Sequence, residues 1–229
     1  MRKALALSAV ITLSFAAVAV AAGPTFKVTV TPDTPSAQST LTGSATGPYS
    51  HSGLPKSLAL TVQKGFESSA QSVPVLCNSK SSKVTSNSPN PCPARSKIGS
   101  GKVVGTVSGF GQQTVPFTLY LGKPTHKGDI ASVVISATLP IVGSTENAVG
   151  RLFKATDGSI EVLFSKLPSA PSGVKITADR LNLSAHAVDG THSLVTNPPT
   201  CSRGHWTGSF TLTFSSGTVS KTTSIPCTK

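Results

Sequence analysis

Apolar and polar residues alternate with a period of two along most of this chain. Phe26, Val28 and Val30 take turns with polar neighbours, and so do Leu58, Leu60 and Val62. Val115, Phe117, Leu119 and Leu121 form one face of a further segment, and Ala131, Val133, Ile135, Ala137 and Leu139 form another. This is the pattern of strands with one face on a core, and no helical stripe competes with it beyond the first two dozen residues. The strand through Ala131–Leu139 also carries Ile130 and Val134 on its reverse side, which predicts a central strand buried on both faces.

Two hairpins follow from turn chemistry. Asp157-Gly158 predicts a two-residue turn that sets Ala155 opposite Ile160 and Phe153 opposite Val162, with Lys154 and Glu161 as a charge pair on the other face. A second hairpin turns around Ser215-Ser216-Gly217, and Trp206, Phe210, Leu212 and Phe214 line one face of its first strand. Between Val174 and Val188 the parity changes. Val174, Ile176 and Ala178 share one parity, and Leu181, Leu183, Ala185 and Ala187 the other, so a bulge or strand break is expected at Asp179-Arg180. Roughly ten short strands with turns between them predict an all-β fold, expected here as an antiparallel, Ig-like β-sandwich stapled by disulfides.

The start of the chain reads differently. Arg2 and Lys3 precede an apolar run from Ala4 to Val20, and Ala19-Val20-Ala21 fits a leader-cleavage pattern. Residues 1–22 are therefore expected to be a signal peptide and 23–229 a single domain, with a polar loop at 78–91 (N-S-K-S-S-K-V-T-S-N-S-P-N-P). The apolar run is short for a membrane anchor, and no later stretch is apolar for long enough to span.

Composition narrows the function classes. Lys and Arg number 20 against 8 Asp and Glu, a net charge of +12, yet charged residues are only 12% of the chain. Ser and Thr must finish the surface, which suits a secreted or envelope-associated β protein. Aromatic residues are 5% and none interleave with the basic run, which argues against nucleic acid as a partner.

The four cysteines are Cys77, Cys92, Cys201 and Cys227. An even count in an exported chain points to disulfides. Pairing Cys77 with Cys92 would close the polar loop. Pairing Cys201 with Cys227 would staple the last hairpin, provided that Ser202–Gly204 folds back. Cys201 and His205 are the one pair that invites a nucleophile or metal reading. In an extended strand they sit ~13 Å apart, too far for a hydrogen bond. His205 also has the opposite parity to Trp206, and no cysteine spacing matches a zinc site. A turn at Arg203-Gly204 that joins them stays open at this point.

The motifs C-P-A-R-S-K-I-G from Cys92 to Gly99 and N-P-P-T-C from Asn197 to Cys201 resemble a cassette of secreted, β-rich actinobacterial proteins of unknown function. Leu54-Pro55-Lys56-Ser57-Leu58 stands where those proteins carry L-P-x-G-L, with Ser57 in place of glycine, and Cys77 and Cys227 match the flanking cysteines. The resemblance implies a structural cysteine framework in an extracellular or envelope protein, and no activity. N-P-P-T-C departs from the pattern by one extra proline.

No catalytic constellation can be assembled. The eight acidic residues are scattered, and His51, His126, His186 and His192 fall in loops or on polar faces. There is no G-x-S-x-G elbow, and Ser172–Lys175 matches S-x-x-K without its companion motifs. Gly-Ser-Gly-Lys at 99–102 lacks the first glycine and the final hydroxyl of a phosphate loop. No catalytic residue, metal or cofactor is expected. Lys80, Lys83, Arg95, Lys97 and Lys102 form a basic run without an acid, a candidate site for an anionic wall polymer. The sequence thus points first to a non-enzymatic structural or adhesive protein of the cell exterior or envelope, partnered with another envelope protein or such a polymer, next to a module that binds such a polymer through the basic loop, and last to a secreted hydrolase using Cys201 or one of the histidines.

Overall fold

The computed structural model describes residues 24–47, 49, 53–140, 143–169 and 175–229. The expected leader, His51 and Val174 lie outside these residues. In chain order the strands are β1 (Thr25–Thr31), β2 (Thr40–Thr46), β3 (Ser57–Val62), β4 (Lys97–Val107), β5 (Gly111–Gly122), β6 (Ala131–Leu139), β7 (Ser144–Lys154), β8 (Ile160–Phe164), β9 (Ile176–Ala185), β10 (Val188–Asp189), β11 (His192–Ser193), β12 (His205–Phe214) and β13 (Gly217–Pro226).

The expected Ig-like sandwich does not form. Eleven strands make one antiparallel sheet in the order β1-β2-β9-β4-β5-β6-β7-β8-β3-β12-β13, and the sheet curls until its two edges lie side by side. The fold is all-β, but it is a barrel closed except for a seam between β1 and β13. Direction alternates across the eleven strands, so the two edge strands run the same way, and no ladder joins them. They lie side by side, and inside the seam the ring of Phe26 on β1 packs 5.2 Å from that of Phe210 on β12. Just past their ends the Thr228 amide donates to the Asp33 carbonyl at 3.2 Å.

Several local expectations take a definite form in this sheet. The parity switch in β9 is a bulge: Val104 faces Arg180 and Gly105 faces Ala178, which leaves Asp179 without a partner in the register. Leu181, Leu183 and Ile176 can then all face inward. Strand β6 is covered on both sides, with Val133 and Val134 both buried. What covers its outer face is the segment between Cys77 and Cys92, which are joined by a disulfide. Val84, Tyr120 and Val134 pack there with the two cysteines as a second, smaller core.

That segment was expected to be only a polar loop. It contains a one-turn helix, α1 (Ser82–Thr85), and hydrogen bonds fasten it to the barrel. The Asn147 amide donates to Asn87 Oδ1 at 2.9 Å, and Asn87 Nδ2 donates to Glu146 Oε2 at 3.0 Å. Its one buried apolar side chain, Val84, was too isolated in sequence to register as periodic.

The first hairpin is shifted by one residue from the expected register. Lys154 lies opposite Ile160, Phe153 opposite Glu161 and Leu152 opposite Val162, so the expected Lys154–Glu161 pair is not formed. The turn is longer than two residues. Gly158 takes φ +85° as a bulge, the Ala155 amide donates to Ser159 O at 2.8 Å, and Asp157 Oδ1 accepts from the Ser159 amide at 2.9 Å. The Ser159 hydroxyl and amide hold the Asp157 carboxyl below its usual range. One residue of shift exchanges the faces. Leu152 enters the barrel and Phe153 goes outside, where the Arg151 guanidinium covers its ring at 4.6 Å.

Arg151 also makes a two-pronged bond to Asp129, with Nη2 2.7 Å from Oδ1 and Nε 3.0 Å from Oδ2. The Asp129 side chain is 1% exposed and that of Arg151 36%. Hydrogen bonding to Arg151 is the main reason that the Asp129 carboxyl titrates below its ordinary value, against the opposing effect of burial. A depressed carboxylate stabilises the fold fully above the unfolded-state value near 4 and progressively less below it. Asp129→Asn is therefore expected to cost about 1–2 kcal/mol at pH 7, discounted for the exposure of Arg151. The difference from the parent should vanish in unfolding curves taken well below pH 4.

Trp206 closes one end of the core. It is 1% exposed, its ring meets Phe66 edge-on at 5.4 Å, and its Nε1–H donates to Thr200 O at 2.8 Å. Trp206→Ala should lower stability by about 3–5 kcal/mol in urea unfolding, as for other large-to-small core changes.

Candidate functional site

Following the chain through the sheet assigns every connection to one end of the barrel. Of the described residues, 47, 49, 53–56, 108–110, 140, 143, 165–169, 175 and 215–216 fall at one end. Residues 32–39, 63–96, 123–130, 155–159 and 186–204 fall at the other. The second end carries the long connections, and they plug it with Phe66, Val73 and Leu194, all buried, with Phe66 against Trp206 of β12. The Cys201–Cys227 disulfide sits at the same end. There Ser202–Gly204 does fold back, with Gly204 at φ +73° and the Cys227 amide donating to Gly204 O at 3.1 Å.

The interior is not filled. An internal cavity of about 470 Å³ runs from this plug toward the opposite end. Its wall is almost wholly carbon, supplied by inward residues of nearly every strand, among them Val103, Leu119, Ile135, Ala148, Val162 and Leu183. Exposure along the strands tells where it opens. On β6, Ala131 and Val133 are buried, whereas Ile135, Ala137 and Leu139 are half-buried although they face inward. On β9, Ala185 is buried and Leu183, Leu181 and Ile176 are half-buried. The cavity is thus sealed at the plugged end and reaches solvent at the other.

Polar groups are few: Glu67 and Ser68 lie at the plugged end, and Gln113, Glu146, Ser169 and Arg180 lie toward the mouth. Glu146 shares the inward register of β7 opposite Ala137, and its carboxylate is the one that accepts from Asn87. Tyr49 lines the wall and packs against Phe214 at 5.9 Å. Burial, and then the Asp179 carboxylate, push its hydroxyl up to about 12, so this part of the wall stays neutral at any physiological pH. A space lined in this way can bind by removing apolar surface from water.

The residues singled out in the sequence lie elsewhere. Cys201 is bonded to Cys227, so it is neither a free nucleophile nor a thiolate ligand. His205 is exposed, with Nδ1 3.1 Å from Arg203 O. His126 reaches Asp129 at 3.6 Å, and His186 and His192 are exposed. Among the described residues no three His, Cys, Asp or Glu side chains gather as a metal site. Lys80, Lys83, Arg95, Lys97 and Lys102 are all exposed on the outside of the barrel. Lys80 and Lys83 ride on the disulfide-closed segment, while Lys97 and Lys102 face outward from β4 opposite Tyr120 and Pro116.

The cavity itself escaped the sequence reading because its wall residues look like any core. One signal for it was present. Strands β2, β4, β7 and β12 carry glycine at inward positions, including Gly43, Gly101, Gly105, Gly150 and Gly208. A side chain at Gly101 would run into the Phe117 ring, and one at Gly150 into Phe164. Inward glycines mark where a sheet coils tightly enough to close. No protein-family model, no curated protein and no solved structure matches this chain.

Proposed function

We propose that this is a non-enzymatic, exported binding protein that holds an apolar, chain-like ligand inside its barrel. One observation carries the reading: a carbon-lined cavity of about 470 Å³, within the size range of small-molecule sites, open at one end only. Its carbon wall is apolar surface that a ligand seated there would take out of water. Two disulfides fit an oxidising, extracellular setting, and no helix of the described residues is long and apolar enough to cross a membrane.

Dansyl-undecanoic acid tests the reading. Its emission should rise and shift to the blue on titration with the protein, saturating at one molecule per barrel. A linear, unsaturable rise would sink it.

The basic outer surface supports a second reading, that of an anionic wall polymer held at Lys80, Lys83, Arg95, Lys97 and Lys102. All five are exposed, and none is in a salt bridge among the described residues. Retention on isolated walls should then fall steeply between low and moderate salt, and Lys97→Glu/Lys102→Glu should abolish it. Retention indifferent to salt and to those substitutions removes this reading and leaves the cavity reading intact.

A further inference from the structure

We infer that the open rim of the barrel docks on an anionic lipid surface, so that an apolar chain passes between membrane and cavity without crossing water. The inference rests on the proposed ligand and adds where it is acquired or released. The first support is Phe110. It sits at the tip between β4 and β5, is 61% exposed, and is the most exposed of the three large apolar side chains that the described surface displays. A lone exposed Phe is unremarkable on a protein surface, but this one also lines the mouth of the cavity. Leu54, Leu139 and Leu167 stand half-buried around the same opening. Apolar side chains ringed around an apolar entrance are placed to enter the boundary between headgroups and acyl chains.

Charge supplies the second, independent support. The described connections at the open end contain no acidic residue, whereas those at the plugged end mix five acidic residues (Asp33, Glu67, Asp129, Asp157 and Asp189) with seven basic ones. The open-end connections instead contain Lys56, Lys166 and Lys175, all exposed. Basic residues close to an anionic bilayer are attracted to it. The connections of both ends are therefore net positive, but those of the open end carry lysines with no acid among them, with Glu146 and Asp179 on the adjoining strands.

Flotation with vesicles of equal parts phosphatidylglycerol and phosphatidylcholine tests this. The parent protein should float with these vesicles and far less with pure phosphatidylcholine. Phe110→Ser, and separately Lys56→Glu/Lys166→Glu/Lys175→Glu, should each reduce the bound fraction at least tenfold at limiting lipid. The same charge change at the plugged end, Lys64→Glu/Lys123→Glu/Lys127→Glu, should leave it nearly unchanged. Equal losses from both triple variants would reduce the effect to overall charge and overturn the proposal. A dimer that dissociates on Phe110→Ser would assign the rim to a second copy instead, with the same consequence. Ala148→Phe, inside the cavity, should keep vesicle binding while losing the dansyl probe. Probe binding without vesicle binding would therefore overturn the docking site alone, and failure of the probe would strike the ligand reading itself.

Discussion

Replacing Ala148 by phenylalanine is expected to abolish binding of an apolar ligand while leaving the barrel folded. Ala148 is buried on β7, faces Ile135 across the ladder and lines the cavity midway between plug and mouth. A ring added there projects into empty space rather than into packed side chains, so the usual cost of overpacking a core does not arise. Affinity for dansyl-undecanoic acid should fall by a factor of ten to a hundred, the effect of losing a few buried methylene contacts. The melting temperature of the unliganded protein should stay level or rise, because part of a void is filled. A stable variant that still binds with parental affinity would place the ligand elsewhere.

The second large effect concerns the plugged end. Removing the Cys201–Cys227 bond by serine substitution should cost about 3.5 kcal/mol in the loop-entropy account, for a separation of 26 residues. At this chain length the loss lowers the melting temperature by roughly 7–14 °C. The bond does more than shorten a loop. Cys227 immediately precedes Thr228, whose amide makes the seam contact with Asp33, and Thr200, beside Cys201, accepts the Trp206 indole bond. Both the seam and the plug are anchored within one residue of the disulfide. The serine variant should therefore also release bound probe faster than the parent. Removing Cys77–Cys92 should cost a similar energy, about 3 kcal/mol for its loop, but uncover Tyr120 and Val134 on the outer face and spare probe release. Equal release rates in the two variants would contradict this division of roles.

Much of the local structure was legible from residue patterns, and the architecture was not. Strands β5, β6 and β12 follow directly from alternation, and the β9 bulge from a change of parity, because each depends on one burial face and a period of two. Strands β2 and β4 were harder to see. Their inward faces read Leu41, Gly43, Ala45 and Gly101, Val103, Gly105, with glycine where an apolar side chain would make the pattern visible. Yet β4 pairs along its length with both β5 and β9, and β9 in turn pairs with β2. With those two strands missing, the pairings that join the terminal hairpins to the central meander could not be inferred. A sandwich and a barrel then look alike, since both place alternate residues on a core. The hairpin at Asp157 was misread for a different reason. Asp-Gly is compatible with a two-residue turn and with a bulged three-residue one, and the Ser159 contacts to Asp157 favour the second. The cavity lay beyond either kind of reading, because a wall and a packed core differ in what faces them and not in their own composition.

The measurement that bears most directly on the account is calorimetric titration of the purified protein with a series of straight-chain fatty acids of increasing length. If the barrel interior is the site, binding should be one to one, with a negative heat-capacity change. Affinity should rise about fourfold per added methylene, as expected for ~0.8 kcal/mol of burial each, until the chain fills the cavity. It should then level off, and Ala148→Phe should shorten the length at which it does. Affinity independent of chain length, or no binding at all, would contradict the claim that this barrel is built around an apolar ligand.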